Sequence, residues 1–456
     1  MPRRWVANSP ACLVQQSISS TALKWRFSKV GNSILELLSA EEQKCRSMLH
    51  LTSYENRMSK TAEAFLSSDL GNRYHLSTPD THNGLDPSVH IAGFSCRALS
   101  AVHRLELSAI ASAKKMFNAA HIEMRLVSGV HATISTIASM TKPGDIVYSI
   151  APEDGGHFAT KHVAESLGRK SRYLSWDSER LNVDLEESKA LFAMFPPAMV
   201  FLDHGTPLFN LPVGELRDLI PSDSLLVYDA SHTLGLIAGG YFQHPLCEGA
   251  DILQGNTHKT FPGPQKAMVM FSSPELGSRY SKSVSLGLVS SQHTHHSIAL
   301  GVTILEMEAF GAKYAQCMLE NAQVLGNALI AEGLGLVSHS GKFTTSHELL
   351  INSGWPDGYL SAVDRLFDAN ISVNGRVAFR RPTIRLGVQE ITRRGMGPDE
   401  MLVIAKLIAA AVQETDSAES IRLRVDQLNR DFPSTLYSFD HSCSVDSGEE
   451  LQNAYS

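Results

Sequence analysis

The chain has 456 residues, 43% of them hydrophobic, which allows a sizeable core spread over roughly two to four domains. Its net charge of −7 comes without a long basic run, which argues against nucleic acid or an anionic membrane as a partner. No apolar stretch reaches the roughly 18 residues needed to span a bilayer. The six cysteines, Cys12, Cys45, Cys96, Cys247, Cys317 and Cys443, lack CxxC spacing, so the composition predicts a soluble cytoplasmic protein with reduced thiols rather than disulfides or a zinc site.

The first 35 residues contain no Asp or Glu but do carry Arg3, Arg4, Lys24, Arg26 and Lys29. An organellar presequence, a misassigned start and a disordered arm all have this composition. From Ser33 to Met48 the spacing of Ile34, Leu35, Leu37, Leu38 and Met48 predicts an amphipathic helix. Leu51-Thr-Ser-Tyr-Glu-Asn56 follows, then a helix over about 61–69, then Gly71-Asn-Arg-Tyr-His-Leu76. The stretch from Ser77 to Ala98 is rich in Ser, Thr, Pro, Gly and His, and reads as a long loop. His75, His82 and His90 have irregular loop spacing, which favours solvated side chains over metal ligands.

Leu99 to Phe117 has helical periodicity, and Val127-Ser-Gly-Val-His131 opens a second helix running to Met140. A Ser128-Gly129 turn at a helix start aims free backbone N–H groups outward, an arrangement that suits a phosphate and is also ordinary N-capping. Pro143-Gly-Asp145 is a turn and Ile146 to Ile150 a strand, after which Gly155-Gly156 lets the chain turn sharply and present His157. Ser171–Ser175 and Ala198–Leu202 are further strands, the second ending in Asp203-His204-Gly205-Thr206. Alternating strands and helical spacers between 145 and 271 predict a mostly parallel sheet covered by helices on both faces.

The apolar run Ser224 to Tyr228 delivers Asp229 and His232 at a strand's carboxyl end, where α/β sheets place their ligand sites. About twenty residues on, the strand Ala250-Asp-Ile-Leu253 runs into Gly255-Asn-Thr-His-Lys259-Thr-Phe-Pro-Gly-Pro264. Two neighbouring strand ends thus bring a carboxylate and a lysine to one cleft. Pyridoxal phosphate needs both: the lysine forms its Schiff base, and the aspartate keeps the ring nitrogen protonated. A solvated lysine and a helix-capping aspartate are the plainer reading of the pair alone.

After the strand Ala267–Phe271, Gln292-His293-Thr-His295-His296 lacks the i, i+4 geometry of a common zinc site and reads as an interface or cleft-rim cluster. Ile298 to Gln316 predicts a linking helix to a smaller α/β region. That region has strands around Leu334–Ser338 and His347–Ile351, flanked by helices Ala322–Glu332 and Pro398–Gln413. Within it, Arg385 offers the planar fork that a carboxylate wants, whereas Arg393 and Arg394 fit packing or solvation.

Several of these stretches resemble one family along roughly residues 50–415. Asp229-Ala-Ser-His232, Thr257-His-Lys-Thr260 and Gly263-Pro264 are similar to the cofactor site of serine hydroxymethyltransferase and its relatives. Ser128-Gly129 is similar to the S-G-S-Q-A phosphate loop, with His131 replacing glutamine. Gly155-Gly156-His157 is similar to the G-G-H whose histidine stacks on the pyridine ring, and Arg385 to Gly395 to R-I-G-T-P-A-x-T-R-R-G, whose first arginine binds the substrate carboxylate. The resemblance implies fold-type I, the aspartate aminotransferase-like α/β fold. Its large domain has a mostly parallel seven-stranded sheet, and a smaller α/β domain follows. It implies pyridoxal 5′-phosphate bound by Ser128, Gly129, His157, Asp229, His232, His258 and Lys259, with Lys259, His157 and Asp229 catalytic. It also implies a homodimer, or a tetramer, in which Tyr74 crosses to the neighbouring subunit's cofactor phosphate and, with Arg385, binds substrate.

Two departures stand out. The family's T-N-K-Y-A-E carries a proton-transferring glutamate where this chain has Leu76, and its R-Y-Y-G-G tyrosines have no counterpart beside Phe94, Ser95 and Cys96. Gly255 to Lys266, Gly156-His-Phe158, Ile384 to Gln389 and Tyr437-Ser-Phe-Asp440 look more like the L-threonine transaldolases of natural-product pathways. That likeness implies retro-aldol cleavage of L-threonine to acetaldehyde, then addition of the glycyl carbanion to a second aldehyde, giving a β-hydroxy-α-amino acid. A folate-dependent hydroxymethyltransferase, a threonine aldolase and a non-catalytic binding subunit remain alternatives. The expected organisation is an N-terminal extension and arm helix (1–48), a cofactor domain (49–297), a small domain with its linking helix (298–415) and a tail (416–456), with no structural metal, nucleic acid or membrane.

Overall fold

A computed structural model describes residues 20–76, 88–91, 93–97 and 99–440. The chain divides into two compact units, Met1–Met48 and Leu49–Ser456. In the first, the described part is one helix, α1 (Ser20–Ser47), which starts earlier than the apolar spacing from Ser33 predicts. Nothing between Ser20 and Ser33 stops a helix: there is no proline, and the single Gly31 costs only about 1 kcal/mol. Residues 1–19, the greater part of the presequence-like stretch, lie outside the described residues.

The second unit is built on seven strands: β1 (His121–Glu123), β2 (Ile146–Ser149), β3 (Lys170–Tyr173), β4 (Met199–Leu202), β5 (Leu225–Asp229), β6 (Ile252–Asn256) and β7 (Ala267–Phe271). They lie in the order β1-β7-β6-β5-β4-β2-β3. From β6 to β3 all neighbours are parallel, and β7 is antiparallel to both β6 and β1. The mostly parallel seven-stranded sheet expected from the sequence is therefore present. Strands buried on both faces read as unbroken apolar runs, and β4 and β7 are buried at every residue.

Alternate strand residues feed two cores. Met199, Phe201 and Val227 pack with Ala132 and Ile137 of α3 (Gly129–Met140) and with Val163 and Ala164 of α4 (Phe158–Ser166). Val200, Leu202 and Leu226 pack on the other face, in the core that holds Ala109 and Ile110 of α2 (Ser100–Phe117) and Leu300 and Ile304 of α5 (Thr294–Ala331). Helices thus cover both faces and leave the carboxyl ends of the strands open.

Helix α5 is one element of 38 residues, not the two helices expected from the break after Gln316. The polar Asn321 that weakens the apolar pattern there is buried, and it donates to Thr392 Oγ1 and the Met396 carbonyl at 2.9 Å each. Beyond α5, β8 (Gly335–Leu336), β9 (Glu348–Ser353), β10 (Asn374–Ala378) and β11 (Arg381–Gly387) form an antiparallel sheet in the order β8-β9-β11-β10. It is accompanied by α6 (Tyr359–Asp368) and α7 (Pro398–Gln413). Arginines within β10 and β11 conceal these two strands from a hydrophobicity reading.

Three local expectations are corrected. The helix expected over about 61–69 is only Lys60–Glu63, continued by tight turns at Ala64–Ser67 and Asp69–Asn72, where Ser68 and Gly71 favour bending over helix. The presumed loop after Ser77 contains a hairpin, Ser88–Ile91 against Phe94–Arg97, turned at Gly93 with φ +80°; residues 77–87, including His82, are outside the described residues. The expected tail carries α8 (Ala418–Asp431), capped by Ser417 and anchored by buried Ile421 and Val425; its acidic Ser-rich end, 441–456, is outside the described residues. Cys96, Cys247 and Cys317 are free thiols, and no described helix is long and apolar enough to cross a membrane.

Candidate active site

Four strand ends and the small sheet meet at one cleft. Past β2, Gly155 adopts φ +96° and Gly156 packs so closely that a Cβ would stand 2.1 Å from the Ile150 carbonyl. This bend swings His157 to the start of α4, where its Nδ1 accepts from the Ala159 N–H at 3.3 Å. Past β4, β5 and β6 come Asp203 to Gly205, Asp229 to His232 and Asn256 to Lys259, and all of them except Ala230, Thr257 and His258 line the inner cavity with Gly129 and His157. A wider cavity of about 700 Å³ continues outward past Lys259 and His258 to Arg376 and Arg385, with Tyr54, Phe158 and Val377 on its walls.

Lys259 is buried, and its amine lies 2.9 Å from His232 Nε2. His232 Nδ1 lies 2.6 Å from Glu348 Oε1. Since a carboxylate only accepts, His232 carries its proton on Nδ1 and turns the Nε2 lone pair to the lysine. Burial, then the charge of Lys259, holds the His232 pKa well below the usual histidine range, so the ring stays neutral. Burial likewise pushes Lys259 down from 10.5 to about 8; Asp229 opposes the shift and Arg385 adds to it. The Lys259 backbone is held by Asn56, whose Nδ2 donates to its carbonyl and to the Tyr314 hydroxyl. The Leu51–Asn56 stretch therefore positions the lysine loop.

Asp229 is aimed by two donors: the Ser231 N–H reaches Oδ1 at 2.9 Å and Gln254 Nε2 reaches Oδ2 at 2.8 Å. Ser128 caps α3, accepting from the His131 N–H at 3.1 Å, while His131 itself turns away to the Leu288 carbonyl at 3.1 Å. Arg385, on β11, is anchored through Nε to Asn374 Oδ1 at 3.0 Å and through Nη1 to the Gly205 carbonyl at 2.7 Å. Among the described residues its Nη2 has no hydrogen-bond partner, so one side of the fork faces the cavity. Burial lowers the His157 pKa and brings that of His258 down to about 4.

Lys259, Asp229, His157, His232, Ser128–Gly129 and Arg385 are thus brought together, with His258 on the outer wall, whereas Tyr74 stands apart, 68% exposed. His293, His295 and His296 cluster, with the last two rings 4.4 Å apart. Arg393 and Arg394 are buried in packing, Arg393 beside Glu306 at 3.4 Å and Arg394 bonded to the Phe432 carbonyl at 2.9 Å. The expectation of a solvated His75 is corrected: it is 1% exposed and pairs with Glu106 under α2, although His90 is exposed. Sequence reasoning missed Glu348, Gln254 and Arg376. A glutamate and a glutamine inside apolar strands, Glu348-Leu-Leu-Ile and Ile252-Leu-Gln254, were the available signal.

The cleft offers what pyridoxal phosphate requires. It has a buried amine near neutrality, a fixed carboxylate and a helix N-terminus at Gly129, where a Cβ would stand 2.3 Å from Asn256 Oδ1. Asp203 Oδ2 and both ring nitrogens of His204 are buried without a partner among the described residues. Burial raises Asp203 to about 7 and lowers His204 to about 3.

The serine hydroxymethyltransferase family profile matches residues 27–408. The chain belongs to this family. Fluorothreonine transaldolase of Streptantibioticus cattleyicolor is 40% identical over 397 residues, which is 87% of this chain but 62% of that protein, so the chain spans less than two thirds of that relative. Serine hydroxymethyltransferase of Methanopyrus kandleri is 32% identical over 419 residues, 90% of this chain and 95% of that protein. The crystal structure of L-threonine transaldolase from Pseudomonas fluorescens matches with a TM-score of 0.85 and 29% identity, covering 95% of this chain and 98% of that one. As a member of the serine hydroxymethyltransferase family the protein is a fold-type I enzyme with pyridoxal phosphate as its cofactor, in a family of oligomeric enzymes that act on amino acids.

Proposed function

We propose that the protein is an L-threonine transaldolase, which exchanges the acetaldehyde portion of L-threonine for a second aldehyde and releases a new β-hydroxy-α-amino acid. One observation carries the reading: the lysine, aspartate and arginine of the cleft are intact, while Leu76 stands where the resembled hydroxymethyltransferases have their proton-transferring glutamate. The 40% identity to fluorothreonine transaldolase, against 32% to the Methanopyrus enzyme, supports the same choice.

When bound at Lys259, pyridoxal phosphate supplies a sink for the electrons released as the bond between Cα and Cβ breaks. The chain's residues do the rest. Arg385 grips the amino acid carboxylate and so sets which bond stands ready to break. Asp229, fixed by Gln254 and Ser231, holds a proton on the cofactor's ring nitrogen. His157, kept neutral by burial, is free to take the threonine hydroxyl proton. Leu76 offers no proton to the glycyl carbon, so a second aldehyde has time to enter the outer cavity, whose volume of about 700 Å³ suits a small ligand. Tyr74 reaches the neighbouring cofactor in a cytoplasmic homodimer, and the cleft lies between a cofactor domain (49–297) and a small domain (298–415).

The test follows L-threonine labelled in its glycyl carbons with a panel of aldehydes. Label in a new β-hydroxy amino acid that depends on the aldehyde is the expected result. Label in glycine alone would mean threonine aldolase instead, and turnover only of serine with tetrahydrofolate would mean a hydroxymethyltransferase. A His157→Asn enzyme that still cleaves threonine at the full rate would remove the histidine from its role.

A further inference from the structure

Away from the cleft, two histidines and a glutamate converge in the interior. His75 follows Tyr74, and His103 and Glu106 stand three residues apart on α2, so both project from one helix face. All three are buried, none more than 4% exposed. His75 Nε2 lies 3.2 Å from Glu106 Oε2, and one ligand atom from each residue lies within 4.8 Å of the other two. The two rings are tilted at 47° rather than stacked, with centroids 6.3 Å apart.

These numbers suit a small cation. Tetrahedral zinc, with bonds of about 2.0–2.1 Å, keeps its ligand atoms about 3.3 Å apart. The His75–Glu106 pair already has that separation, and the remaining edges close by at most about 1.5 Å through side-chain rotation. Glu106 also feels the buried Arg125 and Lys266, so the ion's part is to coordinate three converging donors at once rather than to neutralise a lone carboxylate. Two imidazoles and one carboxylate are a donor set suited to zinc, which completes its shell with water at such three-ligand sites.

The geometry points to a divalent transition-metal site, zinc by ligand type, formed by His75, His103 and Glu106. Its position gives it a task. The His75 N–H donates to Thr294 Oγ1 at 3.2 Å and its carbonyl accepts from Gln292 Nε2 at 3.0 Å, so the segment already rests on the start of α5. The ion would add a bond to α2 and pin the chain just after Tyr74. The site does not touch the cofactor cleft, and its existence does not depend on which aldehyde the enzyme uses.

The test uses the pyridoxal phosphate-loaded enzyme, stripped with EDTA, dialysed and titrated with zinc chloride by calorimetry, with metal counted by mass spectrometry. One zinc per chain is expected, and zinc-edge X-ray absorption of the wild-type protein should show two imidazole ligands. His75→Gln, His103→Asn and Glu106→Gln should each weaken binding by more than about 100-fold, beyond the 10–100-fold typical of losing an outer-shell partner. Unchanged cofactor absorbance would report an intact fold. Two other loci compete, the histidine cluster after Gln292 and the buried His232, His347 and Glu348 beside Lys259, so a His295→Gln/His296→Gln protein and a His347→Asn protein should both keep their zinc. No saturable binding at micromolar zinc would overturn the proposal, as would loss of zinc in that double variant with retention in His103→Asn. Where His103→Asn fails to fold, loss of zinc from a folded His347→Asn protein overturns the proposal, because His232, His347 and Glu348 offer the same two imidazoles and one carboxylate.

Discussion

Titrating the cofactor-free enzyme from about pH 6 to about pH 10 should convert Lys259 from ammonium to free amine around a midpoint of about 8. Burial causes the shift from 10.5, with Asp229 opposing it and Arg385 reinforcing it. Only the free amine can add to the cofactor's carbonyl. At about pH 7.5 a midpoint of 8 leaves about 24% of the lysine as free amine, against about 0.1% for an ordinary lysine, a gain of about 240-fold. The assay is the second-order rate of pyridoxal phosphate uptake, followed by stopped-flow absorbance across that range. Asp229→Asn removes the raising charge and should move the midpoint down, whereas Arg385→Leu removes a lowering charge and should move it up. Shifts in the opposite directions, or a rate that still climbs without a break above about pH 10, would refute the reasoning. The sign for stability follows from the same shift. Between about 8 and 10.5 the unfolded chain binds more protons at this residue than the folded one, so Lys259's contribution to stability rises with pH across that window.

Three other outcomes are expected. Arg385→Lys keeps the charge but not the fork, so kcat/KM for the amino acid should fall about 10- to 160-fold, mostly through KM, matching one charged hydrogen bond of about 1.5–3 kcal/mol; steady-state kinetics with an unchanged KM would contradict the carboxylate role. Gly129→Ala would place a Cβ 2.3 Å from Asn256 Oδ1 and should cost about 1–3 kcal/mol and weaken cofactor binding, as read by urea denaturation and by equilibrium dialysis of the cofactor. Arg393→Met should cost about 3–5 kcal/mol, because it strands the buried Glu306 that now lies 3.4 Å away. Adding Glu306→Gln should restore part of that loss in urea melts, and no restoration would show that the ion pair is not the cause.

Lys259, Asp229 and His157 were legible in the sequence because each sits in a short word of local grammar, an apolar strand with a polar side chain at or just past its end, whereas Arg385, inside β11, was legible through the resemblance of Arg385 to Gly395 to the family's motif. The same local rules identified most strands of the large sheet to within two residues, since burial on both faces demands unbroken apolar runs. What escaped depends on residues far apart in the chain. Glu348 orients His232 across 116 positions, and Gln254 holds Asp229 across 25. His75 read as a solvated loop residue, and only α2 and the start of α5 place it in the interior beside Glu106. Helix α5 runs through a polar residue because Thr392 and Met396 satisfy Asn321 from outside the helix. Backbone hydrogen bonding and side-chain periodicity act over a few residues, so the sequence by itself determined the elements and the ends on which the chemistry sits. Burial, tautomer and pKa depend on which distant groups come into contact, and those the tertiary structure alone decided.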